Sequence, residues 1–177
     1  MYTDIKKRWW DFWGAALIVC LWLSGCVSIP KIQQPLEKSK NFPISFEEVW
    51  GVVNKSIVES GVNISAVQKQ SGAGFIILTK SLSPAMIKDV ALAPTNIAWM
   101  SGSVVIKIIV NEEDENSTQV IINIKITGFG RPRTLFLFSF LYPYTTFEMG
   151  STGVLEKEYF NKISDALEDK IVKQSNP

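Results

Sequence analysis

The spacing of apolar residues predicts two amphipathic helices, one on each side of a strand-rich middle. Ser45 and Glu48 form a capping box at the start of the first helix, and Gly61 provides its C-terminal stop. The second helix is predicted from about Val154 to Val172, with Glu156 among its water-facing residues. The apolar residues recur every three or four positions, as one helix face requires: Phe46, Val49, Trp50, Val53 and Ile57 in the first helix, and Leu155, Tyr159, Phe160, Ile163, Leu167 and Ile171 in the second.

Alternating and β-branched runs between these helices predict strands. Residues Val62 to Thr79 are interpreted as a hairpin around a turn at Ser71 to Gly74. Two further strands are predicted at Val104 to Val110 and Gln119 to Thr127, and the charged residues Asn111 to Ser117 are expected to form the loop between them.

The remaining connections are less regular. Ser83 and Pro84 predict a short helix through Val90, because proline is tolerated at the first helical position. Ala91 to Met100 is expected to cross over as a loop. Glycine and proline predict a bend and a break after the last of these strands: Gly128, Gly130 and Arg131-Pro132-Arg133.

This element order indicates an α+β fold. The expected architecture is an antiparallel sheet of about four to five strands, covered by an N-terminal and a long C-terminal helix. The predicted organisation is a leader at 1–25, a tether at 26–43 and a single α+β domain at 44–175. About 150 residues suit one domain with a real core.

The N-terminal segment has the pattern of a secretory signal. A basic cluster at Lys6 to Arg8 precedes an apolar run from Phe12 to Leu23, which is too short to span a bilayer of about 30 Å. The residues Leu23-Ser24-Gly25-Cys26 match all four positions of the bacterial lipobox, so the chain resembles a bacterial lipoprotein. The resemblance implies cleavage between Gly25 and Cys26 and acylation of Cys26. The alternative is an uncleaved membrane anchor over Trp9 to Val27.

The segment from Val27 to Pro43 is interpreted as an extended tether, because it is polar and contains three prolines. Val27 occupies the position where an aspartate usually retains lipoproteins in the inner membrane, so we expect attachment to the outer membrane, facing the periplasm. Residues 26–177 keep 15 of the 18 basic and 15 of the 17 acidic residues. This balance argues against a nucleic-acid partner, and one remaining cysteine excludes an internal disulfide.

The folded region also resembles a known class of domain. Ser45-Phe46-Glu47-Glu48-Val49-Trp50 opens the first helix, and a strand-rich middle precedes the last helix. These features are similar to the helix-grip domains of some envelope lipoproteins, including those of the C subunit of the outer-membrane β-barrel assembly machinery. The resemblance implies the fold alone, because folds of this kind support unrelated functions.

The residue inventory argues against an enzyme. The chain contains no histidine, which excludes Ser-His-Asp and Cys-His catalysis and the usual zinc sites. Ser71-Gly72-Ala73-Gly74 lacks the helix and lysine of a phosphate-binding loop. The acidic residues Glu112 to Glu115 lack the ligand spacing of a calcium loop, so a solvated turn is the preferred interpretation. We therefore expect no catalytic residue, cofactor or metal.

Two groups of aromatic residues are candidate binding sites. Leu135 to Tyr144 is either a buried strand or an apolar patch for a partner or lipid, with Arg131 and Arg133 before it. The candidate contact residues in this stretch are Phe136, Phe138, Phe140, Tyr142 and Tyr144. Trp50 is expected in the core, and Trp99 is either a core residue or the lining of a pocket between helix and sheet.

Two functions remain open from the sequence. The first is a non-catalytic, membrane-anchored envelope lipoprotein that serves as a scaffold or accessory subunit of an outer-membrane assembly, with an envelope protein as its partner. The second is a periplasmic binding module for a small apolar ligand or lipid. The sequence leaves the oligomeric state open.

Overall fold

The computed structural model of the protein describes residues 38–59, 62–133 and 142–175. These residues form six strands and three helices in an α+β arrangement, which confirms the predicted fold class. In chain order the elements are β1 (Ser39–Phe42), α1 (Phe46–Glu59), β2 (Asn63–Gln70), β3 (Ala73–Leu82), α2 (Pro84–Val90), β4 (Ile97–Asp114), β5 (Ser117–Pro132), β6 (Thr145–Met149) and α3 (Val154–Ser175).

The strands form one open antiparallel sheet in the order β1-β5-β4-β3-β2, and β6 also pairs with β5. Strand β1 pairs with the first part of β5, from Ser39 opposite Ile121 to Phe42 opposite Thr118. Strand β6 pairs with the later part of β5, where Gly130 lies opposite Thr145. The 16 residues of β5 are long enough to hold both short strands along a single edge.

One face of the sheet carries the hydrophobic core. Side chains in a strand alternate between the two faces, and buried residues alternate with less buried ones along much of β3, β4 and β5, as from Val104 to Val110. The register aligns Ile76, Ile108 and Ile122 in one such row, beneath α1 and α3. The opposite surface, here called the open face, carries the intervening residues: Phe75, Ile77, Val105, Lys107, Ile109, Ile121, Lys125 and Phe129.

Two tryptophans pack against glycines of the sheet. The Trp50 ring of α1 lies on Gly74, and the Trp99 ring of β4 lies where side chains at Gly128 and Gly130 would project. The predicted bend at these two glycines is therefore wrong, because β5 continues through Pro132. A strand glycine marks a close approach by a neighbouring group as readily as a bend.

The sheet extends further along the chain than the sequence indicated. The predicted tether ended at Pro43, but Ser39–Phe42 form β1, and Phe42 is buried in the core. The loop predicted through Met100 ends earlier, since β4 begins at Ile97. The predicted charged loop shortens to a turn at 115–116, because cross-strand pairing continues to Asp114 and Ser117.

The three predicted helices are present. Ser83 caps α2 by accepting a hydrogen bond from the Met86 amide at 3.3 Å. In α3 the predicted apolar residues from Leu155 to Leu167 are buried, whereas Ile171 lies outside the described side chains. Glu156 was expected to face water but is buried, because Ser151 Oγ donates a hydrogen bond of 2.7 Å to its Oε2 atom.

Strands β2 and β3 form the predicted hairpin, and β2 is an edge strand. A bulge between Ile64 and Ala66 interrupts the alternation expected from the sequence, and both Ile64 and Val67 are exposed. A bulge of this kind disrupts pairing at a free sheet edge.

Candidate functional site

Phe129, Arg131 and Tyr144 contact one another at one end of the open face. The exposed residues Tyr142 and Met100 are their neighbours along the chain and on the adjacent strand β4. We call these five residues the aromatic end. Its four uncharged residues are all exposed: Met100 by 57%, Phe129 by 40%, Tyr142 by 47% and Tyr144 by 41%. Exposed large apolar side chains in one cluster are characteristic of interaction surfaces.

Ring stacking holds the aromatic end together. The Phe129 and Tyr144 rings stack with centroids 5.5 Å apart and an interplanar angle of 24°. The Arg131 guanidinium carbon lies 4.9 Å from the Tyr144 ring centroid, within the range of a cation–π contact. These contacts orient three side chains toward the same exposed surface.

Strand pairing explains how these residues meet. Phe129 and Arg131 are two positions apart on β5, so both belong to its open face. Pairing of Thr145 with Gly130 and of Thr146 with Phe129 starts β6 directly after Tyr144. On the other side of β5, Ser101 of β4 lies opposite Phe129, next to a bulge that contains Met100.

The charges around the aromatic end are mainly positive. Arg133 is exposed, and its backbone amide donates a hydrogen bond of 2.6 Å to the Asn96 carbonyl oxygen. Lys125 Nζ lies 2.7 Å from Glu148 Oε1 in an exposed ion pair. Such a pair contributes little to stability, but it neutralises the Glu148 carboxylate on the strand beside β5.

Only part of the predicted site falls within the described residues. Phe136, Phe138 and Phe140 lie outside them, as do Gly25 and Cys26, so their roles stay predictions. Tyr142 and Tyr144 are exposed and belong to the aromatic end. Sequence reasoning missed Phe129 and Met100. Alternation along β5 was the available signal for Phe129, since it lies two positions before Arg131.

Trp99 has the surroundings of a core side chain. It is 8% exposed, and its ring meets the Phe147 ring edge to face with centroids 5.4 Å apart. Gly128 and Gly130 leave room for the ring on the neighbouring strand. These contacts with Phe147 and the two glycines are core packing contacts, and a pocket role for Trp99 stays a prediction.

A shallow cleft runs between α1 and α3. Charged and small residues line it: Gly51, Val52, Lys55, Ser56, Ala166, Asp169 and Lys170. Lys170 also donates to Glu48 Oε1 at 3.3 Å, which links the two helices. Three of these lining residues are charged and none is aromatic, whereas small-molecule pockets combine hydrophobic and aromatic side chains with only a few polar groups.

The carboxylates described so far act in structural contacts. Glu113 accepts hydrogen bonds from Asn41 Nδ2 at 2.7 Å and from Gln119 Nε2 at 3.0 Å, which joins the first strand to the β4–β5 hairpin. Among the described residues, no three potential ligands are grouped in a way that would hold a metal ion. Burial, with a smaller contribution from Glu158, raises the pKa of Tyr159 above its ordinary value of 10.0.

Comparisons with known proteins found no matching family model and no significantly similar curated protein or solved structure. Within the described part of the chain, no helix has the length and apolar character needed to cross a membrane.

Proposed function

We propose that the protein is a membrane-anchored envelope lipoprotein that acts as a non-catalytic scaffold or accessory subunit of an outer-membrane assembly. The observation that carries this proposal is the lipobox Leu23-Ser24-Gly25-Cys26 after a short apolar run. By resemblance, Cys26 carries the acyl chains, and two or more chains give stable membrane attachment.

The position of the folded domain agrees with such an anchor. Lys38, the first described residue, lies 12 positions after Cys26 and directly before β1. Pro30 and Pro35 fall within the intervening segment, and proline favours an extended chain. Twelve residues span at most about 40 Å when extended, which allows the domain to work near the bilayer surface.

Side-chain contacts support a binding role over a catalytic one. Several carboxylates form exposed ion pairs with lysine, including Glu47 with Lys69 and Glu158 with Lys162. The buried carboxylate of Glu156 is bonded to Ser151. The aromatic end, in contrast, presents large apolar side chains to the exterior.

The alternative function as a small-ligand module has weaker support. Such a module needs an apolar cleft between helix and sheet, and Trp50 and Trp99 instead pack on glycines at this layer. The two functions are separated by affinity purification from the native envelope in mild detergent. Stoichiometric protein partners support the scaffold, whereas a lone protein that releases an extractable apolar ligand supports the binding module.

The purification needs matched variants. Cys26→Ala removes the acylation site, and we expect it to release the protein from the membrane fraction. Replacement of Phe136 and Phe138 by serine tests the apolar stretch directly. Loss of folding assigns that stretch to the core, and intact folding with loss of the co-purified partner assigns it to an interface.

A further inference from the structure

The β4–β5 hairpin carries opposite charges at its two ends. Its turn is flanked by four exposed carboxylates: Glu112, Glu113, Asp114 and Glu115. Arg131 and Arg133 lie at the other end. Fourteen residues of extended strand separate Arg131 from Ser117, a distance of about 45 Å. The protein therefore presents a negative tip and a positive, aromatic base.

The side chains at the positive end have the chemistry of a bilayer interface. Tyrosine and other aromatic side chains occupy the headgroup region because one part of the ring is apolar and its hydroxyl remains hydrated. Tyr142 and Tyr144 expose their rings, with Phe129 stacked on the second. Arg131 lies across the same ring and can meet lipid phosphate from there.

The position where the tether enters the fold places this end within reach of the anchor. The Lys38 carbonyl oxygen accepts a hydrogen bond from the Ile122 amide, so the chain enters beside the sixth of the 16 residues of β5. Phe129 lies seven residues further along β5, a distance of about 23 Å. The segment from Cys26 to Lys38 extends to about 40 Å, which exceeds that distance.

We propose that the aromatic end docks on an anionic bilayer surface, with the acidic hairpin turn pointing away from it. This inference rests on the proposed function, because the acyl anchor keeps the domain beside the membrane. The anionic surface attracts Arg131 and Arg133 and repels Glu112 to Glu115, so the charges select one orientation of the domain. Each cation close to such a surface favours docking by about a factor of five.

A fluorescent probe at the aromatic end tests this orientation in the acylated protein isolated from the membrane. Ser101 is exposed and lies opposite Phe129, so Ser101→Cys carries an environment-sensitive dye next to the surface. Asn116→Cys carries the same dye at the acidic turn as the matched position. The labelled proteins are reconstituted into phosphatidylcholine vesicles with and without phosphatidylglycerol.

We expect a blue shift of the dye at position 101 when phosphatidylglycerol is present, and no shift at position 116. Arg131→Glu with Arg133→Glu lowers the docked-to-undocked ratio by about 25-fold or more. Lys69→Glu with Lys162→Glu makes the same charge change at two exposed ion pairs outside the aromatic end and preserves docking. Near-ultraviolet circular dichroism verifies that each variant is folded. If the charge reversal unfolds the protein, Arg131→Gln with Arg133→Gln is used instead.

Four results would overturn the proposal. The first two are no shift at position 101 on anionic vesicles and an equal shift at position 116. The third is a shift without vesicles that grows with protein concentration, which assigns the surface to a second copy of the chain. The fourth is a shift that requires added envelope proteins, which assigns the surface to a protein partner. A missing acyl anchor is detected separately. A free Cys26 thiol reacts with a second dye molecule, and the mass of the intact protein shows this addition.

Discussion

Replacing Gly74 by alanine tests how the first helix is seated on the sheet. An ideal Cβ atom at Gly74 lies 2.8 Å from both Cε3 and Cη2 of Trp50, and closer still to Cζ3. Carbon atoms in contact prefer about 3.5 to 4.0 Å, so the ring must move by roughly 1 Å. Trp50 is only 7% exposed and stacks near Phe46, which leaves it little freedom.

We expect Gly74→Ala to lower the free energy of unfolding by about 1 to 3 kcal/mol, the usual cost of overpacking a core. The matched control is Gly51→Ala in α1, next to Trp50, where nothing lies within 4 Å of the new methyl group. Because alanine is the better helix former, this control should raise the free energy of unfolding by about 0.5 to 1 kcal/mol. The same chemical change therefore has opposite effects at two nearby positions.

Urea unfolding of the membrane-isolated protein in mild detergent, followed by tryptophan fluorescence, measures both variants. A Trp50→Leu background relieves the overlap, so we expect Gly74→Ala to cost at least about 0.5 kcal/mol less there. The reasoning is refuted if Gly74→Ala is as stable as the wild type, or if its cost is unchanged in the Trp50→Leu background.

Two further predictions concern α3. Glu156→Ala leaves the buried Ser151 hydroxyl without an acceptor for its O–H, so the free energy of unfolding should fall by about 1 to 3 kcal/mol in a urea titration. The exposed control Glu168→Ala should stay within about 0.5 kcal/mol of the wild type. The raised pKa of Tyr159 means that the folded protein holds the phenol proton more tightly than the unfolded chain does. The stabilisation from this difference is fully present below pH 10 and is lost as the pH rises further. Tyr159→Phe should flatten the alkaline fall in stability, and an unchanged pH profile would contradict this assignment.

Local signals in the sequence were sufficient for the helices. The Ser45 to Glu48 capping signal and the three-to-four periodicity operate within a few residues, so they predict α1 and α3 without knowledge of the fold. Glu156 was misplaced although the signal existed. It precedes Phe160 by four residues and Ile163 by seven, which puts it on the buried side of α3.

The strand ends depended on pairing between distant residues. Asp114 and its neighbours are charged, yet they continue β4 because Ser117 and Thr118 pair with them from β5. Ser39–Phe42 have no strand signature, and they form β1 because β5 offers a free edge. Gly128 and Gly130 give the same local signal for a bend as for the close approach of Trp99, so only the packed structure distinguishes the two.

Only part of the aromatic end was predicted, because its residues are brought together by pairing between distant segments. Tyr142 and Tyr144 were identified from composition, but their neighbours Phe129 and Met100 come from other strands. The register that brings β6 beside β5 is set by the sheet as a whole. Candidate residues from a single run of sequence therefore give an incomplete surface.

The mass of the mature N-terminus, measured on protein isolated from the native envelope, tests whether Cys26 anchors this protein to the membrane. We predict a chain that begins at Cys26 and carries a diacylglyceryl group and an N-acyl chain. Labelled palmitate should then mark the wild type and leave Cys26→Ala unmarked. A chain that begins at Met1, or one with an unmodified Cys26, would contradict the account.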